Sequence, residues 1–106
     1  MKGQRWKNVG ICLVAMGLGL AVAQAPVKVS FWHSMGGVNG EAVDRMVKAY
    51  NATQNACLVE ATYVGSYDDG LTKLQAALRG KNPPHIQQIY DLGLQAMAES
   101  GQIIPV

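Results

Sequence analysis

The sequence predicts an α/β fold built from parallel βα units. Three stretches carry that prediction: VKVSFWHSMGG from Val27, CLVEATYVGSYDDG from Cys57 and HIQQIYDLG from His85. Each passes from an apolar, strand-like run through a polar and aromatic turn into a helix-like run, the alternation of a parallel sheet. Ligands of such sheets sit outside the carboxyl ends of the strands. The turns His33–Gly40, Gly65–Asp69 and Tyr90–Gly93 are therefore expected to share one rim and to carry the function.

The first strand is expected over Val27 to Trp32, which follows Pro26 and is rich in β-branched and aromatic residues. Gly36, Gly37 and Gly40 make the turn, with Asn39 as helix N-cap. In the helix that follows, Val43, Met46, Val47 and Tyr50 recur at helical spacing, an apolar stripe to face the sheet. Glu41, Asp44 and Lys48 point outward, and Asp44 and Lys48 form a favourable i,i+4 pair. The second strand is expected over Leu58 to Val64. Ser66 then caps the next helix with Asp69 three residues on, close to a capping box. Leu71, Leu74 and Leu78 give its buried stripe, Gly80 its C-cap, and Pro83-Pro84 prevent continuation. The third strand is expected over Ile86 to Tyr90, and Asp91 begins a last helix ending near Gly101.

The segment before the first strand reads as a signal peptide over residues 1–23. Lys2, Arg5 and Lys7 form a positive n-region, and an uncharged apolar run from Val9 to Val22 follows. That run is about 14 residues, where a membrane-spanning helix needs roughly 20. Ala21-Val22-Ala23 places small residues at both positions a signal peptidase reads. Cleavage after Ala23-Gln24-Ala25 would leave Pro26 at the cut, so the expected new N-terminus is Gln24. Cys12 lacks the residues that precede a lipidated cysteine.

Export reverses the charge balance. The whole chain carries nine basic and seven acidic residues, net +2. Three basic residues leave with the signal, so the remaining six against seven give −1. No basic patch is left to bind nucleic acid or a membrane surface. Cys57 becomes the sole cysteine of residues 24–106, a buried unreactive thiol or one that pairs with a cysteine outside the sequence. His33, His85 and Cys57 lack zinc-ligand spacing, and no cofactor is expected. Residues 24–106 can build three βα units but only a small core, since domains this short bury little more than about 60% of their chain surface. The chain stays apolar through Ile103-Ile104-Pro105-Val106. That end reads as interrupted, the N-terminal part of a larger secreted protein.

The run Gly36-Gly37-Val38-Asn39-Gly40 is neither a dinucleotide fingerprint nor a Walker loop. Phosphate binding by the bare helix N-terminus and a purely structural turn both remain open for it. Ser34 follows His33, but neighbours on a strand face opposite sides and there is no nucleophile elbow. Asp68-Asp69 at a helix start is explained by the helix dipole. No catalytic residue is expected. Tyr67 and Asp91 differ, because both lie where strand gives way to helix. A tyrosine offers a ring face and a hydroxyl, and a carboxylate accepts two hydrogen bonds from vicinal hydroxyls. Together they suit a polyol or sugar-like ligand; the alternative is that Tyr67 packs on its helix and Asp91 is an N-cap.

Several segments make the pattern specific: Phe31-Trp32-His33-Ser34-Met35, Gly40-Glu41-Ala42-Val43-Asp44, Tyr50-Asn51-Ala52, Gly65-Ser66-Tyr67, and the run from Gly80 to Asp91. In this order they resemble the N-terminal part of the periplasmic sn-glycerol-3-phosphate-binding proteins of ABC importers. The wider group is the extracellular solute-binding proteins that include the maltose binder. The resemblance covers nearly all of Val27–Val106. It implies two α/β lobes joined by hinge strands, with residues 24–106 forming the N-terminal part of lobe 1. It further implies a monomer that clamps a small solute, presents it to ABC importer membrane subunits, and works in the periplasmic or extracellular space. Tyr67 and Asp91 match first-lobe ligand contacts of the family. The family's usual residue at the second position is Glu, and the shorter Asp91 leaves room for a larger ligand or a water. Its phosphate contacts come mostly from parts outside this sequence. The resemblance implies transport of glycerol-3-phosphate or a related glycerophospho ester. A sugar binder of the same superfamily and, from a different class, a secreted α/β hydrolase are the alternatives.

Overall fold

The computed structural model describes residues 24–104. The expected signal segment, its cleavage site after Ala23, and the last two residues lie outside that range. The described elements run β1 (Val27–His33), α1 (Gly37–Thr53), β2 (Cys57–Tyr63), α2 (Tyr67–Arg79), β3 (Ile86–Gln87) and α3 (Asp91–Glu99). The three strands form one parallel sheet in the order β2-β1-β3. β1 pairs with β2 along its whole length, from Val27 opposite Cys57 to His33 opposite Tyr63. It pairs with β3 only at Phe31–Ile86 and Trp32–Gln87.

The crossovers from β1 to β2 and from β2 to β3 step across the sheet in opposite directions. Parallel crossovers are right-handed, so α1 and α2 cover opposite faces. Contacts agree with this. A Cβ placed on Gly70 of α2 would stand 3.0 Å from Ser34 Oγ and 3.1 Å from Val64 Cγ2, both on one face. His33, Ala61 and Tyr63, on the other, line a cavity shared with Gly40, Glu41 and Asp44 of α1. Ligands of doubly wound sheets bind where the crossovers diverge, here outside the carboxyl ends of β1 and β3.

The apolar core sits on the α2 side. Val64, Leu74 and Met97 are buried there, and Gly93 of α3 lies close enough that a Cβ would meet Leu71 and Ile89 at 3.2 Å. The expected stripe of α2 is thus partly confirmed: Leu74 is fully buried, Leu71 and Leu78 half-buried. On α1 the expectation fails. Val43 and Val47 are half-buried, but Met46 and Tyr50 are 70% and 47% exposed, and no α1 residue is buried. The two-and-a-half-strand sheet is too narrow to cover the helix. An apolar groove of about 320 Å³ runs beside the β3 edge, lined by Leu74, Leu78, Pro84, Ile86, Ile89 and Ile103 among others.

Local signals differ in detail. Ser66 and Asp69 form a complete capping box: Asp69 N donates to Ser66 Oγ at 3.2 Å and Ser66 N to Asp69 Oδ2 at 3.0 Å. Asn39 is not a cap. α1 begins at Gly37, whose φ of +53° only glycine adopts freely, and Gly36 is its N-cap without any side-chain bond. Gly80 is the C-cap of α2 but is right-handed. The left-handed residue is Lys81 at φ +56°, closing a Schellman motif in which Asn82 N donates to Ala77 O and Lys81 N to Leu78 O. The third strand is far shorter than Ile86–Tyr90. Gln88 N still donates to Trp32 O at 2.9 Å, but beyond it the chain turns away into α3.

Candidate functional site

All three strands being parallel, their carboxyl ends and the turns that follow lie on one edge of the sheet. Hydrogen bonds tie those turns together. Ser34 N donates to Gln88 Oε1 at 3.0 Å, and Ser34 Oγ donates to Ser66 O at 3.1 Å. Ser34 is thereby fully used as a tie between the turns after β1, β2 and β3. Among the described residues it makes no bond to the His33 side chain.

Tyr67 is the first residue of α2 and Asp91 the first of α3. Both are exposed at the rim. The Tyr67 ring stacks on Tyr90, with centroids 5.3 Å apart and an interplanar angle of 24°. Tyr90 Oη donates to Asp68 Oδ1 at 2.6 Å, a charge-assisted bond. That bond raises the Tyr90 phenol pKa, because ionising it would sacrifice a donor to a carboxylate; desolvation and the Asp68 and Asp91 charges add to the rise. Tyr67 therefore packs on the next turn's aromatic, not on the helix behind it. Asp91 is not an N-cap either. Tyr90 occupies that position, and Asp91 Oδ1 accepts only from Leu92 N at 3.0 Å. Its other oxygen makes no bond to the described residues.

The result is a two-ring shelf flanked by the Asp68 and Asp91 carboxylates. Asp69 stands behind it, with its pKa lowered by the two Ser66 hydrogen bonds and, more weakly, by Lys73. Lys73 itself donates to Val64 O at 2.7 Å, at the carboxyl end of β2. Such a surface offers aromatic faces and acceptors, the complement of a ligand bearing C–H faces and hydroxyl donors. The sequence reading missed Tyr90 and the part played by Asp68. An aromatic residue directly before the rim carboxylate was a legible signal, but its pairing with Tyr67 depends on how far apart the second and third turns lie.

Elsewhere, Cys57 is a free, half-buried thiol 4.0 Å from Tyr50 Oη, and this contact raises the Tyr50 pKa. Among the described residues no cluster of three or more His, Cys, Asp or Glu could hold a metal, and no helix is long and apolar enough to cross a membrane.

Fold and sequence similarity together define a class. These are βα units of the first lobe of a two-lobed solute-binding fold, and the chain is homologous to the solute-binding proteins of ABC importers. It is 40% identical over 95 residues to the sn-glycerol-3-phosphate-binding periplasmic protein UgpB of Escherichia coli, and equally to that of Shigella flexneri. The match covers 87% of this chain and 22% of each relative, so the chain spans about a fifth of their length. Among solved structures, the cyclic alpha-maltosyl-1,6-maltose binding protein of Arthrobacter globiformis superposes with a TM-score of 0.57 at 40% identity, over 59% of this chain and 16% of that one. No protein-family model matches the chain.

Proposed function

We propose that this chain forms the N-terminal part of lobe 1 of a periplasmic or extracellular solute-binding protein, exported by the signal peptide over residues 1–23. Its partner is the membrane part of an ABC importer, and its solute is sn-glycerol-3-phosphate or a related glycerophospho ester. The protein binds and releases without chemistry; ligand contact with both lobes favours the closed form that the membrane subunits accept. The observation that carries this reading is the Tyr67–Tyr90 shelf with Asp91 beside it, aromatic faces and carboxylate acceptors suited to hydroxyls at the carboxyl rim of the sheet. In the glycerol ester, the polyol end would rest here, with Asp91 accepting from its hydroxyls. The phosphate would lie away from these carboxylates.

A second reading, a sugar-binding protein of the same superfamily, draws on the same stacked rings, since aromatic shelves suit pyranose faces as well. Calorimetry of the full-length protein with glycerol-3-phosphate and with maltose separates the two.

Asp91 tests the site itself. Removing an acceptor of a charge-assisted hydrogen bond costs roughly 1.5–3 kcal/mol, so Asp91→Ala should weaken solute binding roughly 10- to 150-fold. Asp91→Asn keeps the size and a helix-compatible oxygen, so thermal stability should hold while affinity falls. Unchanged affinity in Asp91→Asn would remove Asp91 from the site.

A further inference from the structure

A second cavity, of about 470 Å³, opens on the other side of the rim, between the end of β1, Tyr63 of β2 and the start of α1. His33 lines it while being only 3% exposed. Met35 N donates to His33 Nδ1 at 3.3 Å, so that nitrogen carries a lone pair and the neutral ring carries its proton on Nε2. Nε2 has no hydrogen-bond partner among the described residues. Among the described residues, the one fully occluded side-chain atom lacking a partner is Gln87 Oε1, and His33 Nε2 is not in that state. His33 thus brings to the cavity lining a ring whose N–H has no partner among the described residues.

The same cavity contains the start of α1, a 17-residue helix that differs from its neighbours. α2 has its capping box and Asp68 and Asp69 in the first turn, and α3 has Asp91. α1 has no side-chain cap and no acidic residue in its first turn. Its first amides are further donors, with open space at Gly37, while the Tyr63 hydroxyl lies against Gly36. Acceptors face them: Glu41 and Asp44, one and two turns on, also line the cavity. Glu41 is held only loosely by Arg45, at 3.9 Å.

An anion entering here would satisfy His33 and the helix amides but meet two carboxylates. A cation would satisfy the carboxylates but meet an imidazole N–H and the positive end of a helix dipole. A hydroxyl both accepts and donates. We infer that the His33 cavity is a separate subsite for a hydroxyl-bearing group of a polyol or sugar, whose oxygen accepts from His33 Nε2–H and whose proton goes to Glu41 or Asp44. The inference rests on the solute-binding reading for the class of ligand, but on none of the residues of the Tyr67–Asp91 shelf.

The test is a titration of the full chain, isotopically labelled, with millimolar maltose followed by heteronuclear NMR. The His33 ring signals and the Gly37 and Gly40 amides should shift together, and long-range ring correlations should show the proton on Nε2. His33→Phe keeps an aromatic ring against Phe31 and Tyr63 and removes the donor. Loss of one neutral hydrogen bond should weaken the Gly37 response roughly 2- to 12-fold. Glu41→Gln, at an exposed position, should weaken it less. Shifts at Gly37 that are unchanged in His33→Phe, or that appear with inorganic phosphate and not with maltose, would overturn the subsite. So would silence at His33, Gly37 and Gly40 while Tyr67 and Leu92 respond; that result would leave the shelf intact. Silence at Tyr67 and Leu92 with a response at His33 would instead count against the shelf alone.

Discussion

The two faces of the sheet are built from similar sequence and end up unequal. The α2 side buries Val64, Leu74 and Met97, and a Cβ added at Gly70 or Gly93 would press on neighbouring side chains at 3.0–3.2 Å. The α1 side buries no helix residue and leaves Met46 largely in water. α1 is nevertheless the longer helix and also has an apolar stripe at helical spacing, though a less pronounced one than that of α2. Periodicity says which way a helix would turn its apolar side, not whether enough surface exists to receive it. α2 and α3 supply each other with that surface through Leu71 and Gly93, whereas α1 has only the pair β1–β2 beneath it, and stability should divide accordingly.

The largest difference is expected between the two stripes. Leu74→Ala opens a cavity in the small core and should cost about 2–5 kcal/mol in urea unfolding, whereas Met46→Ala, at an exposed position, should stay within about 0.5 kcal/mol. A comparable cost for the two would mean that α1 is packed as tightly as α2. Next comes the capping contrast. Ser66→Ala removes a working cap and should cost about 1 kcal/mol, while Asn39→Ala, inside α1, should cost far less. The Ser66 effect also depends on pH. Asp69 has a folded pKa below its unfolded one, so its contribution is present above the ordinary carboxylate range and disappears as pH falls through the lowered folded value. Thermal melts at neutral and acid pH should show the Ser66→Ala penalty shrinking in acid. A penalty independent of pH would mean that the Asp69 carboxylate takes no part in the capping. The smallest effect has the opposite sign. Lys81 holds a left-handed conformation that costs an ordinary residue about 1 kcal/mol, so Lys81→Gly should raise the unfolding midpoint slightly. A lower midpoint would place the strain elsewhere.

Much of the rim is legible in the sequence. The three turns on one rim, Ser66 with Asp69 as a capping box, and Tyr67 and Asp91 at helix starts all follow from short-range signals: alternation, cap chemistry, and strand-to-helix junctions. What was misjudged involved partners distant in sequence. Asn39 has the right chemistry for a cap, but the left-handed Gly37 starts the helix three residues earlier. The residues Gln88 to Tyr90 have strand character, yet Gln88 spends its side chain on Ser34 and the chain then leaves the sheet.

The sequence by itself determined the βα order, the parallel class and the chemical kind of rim, because each depends on residues within one helical turn or one strand of each other. Tertiary structure alone decided that Tyr67 stacks on Tyr90 and that Tyr90 bonds Asp68, a contact across 22 residues. It also decided that a nearly buried His33 lies beside an uncapped helix start. The physical reason is that the sheet order β2-β1-β3 separates turns adjacent in sequence and joins others, and no local propensity encodes which turns will meet across β1.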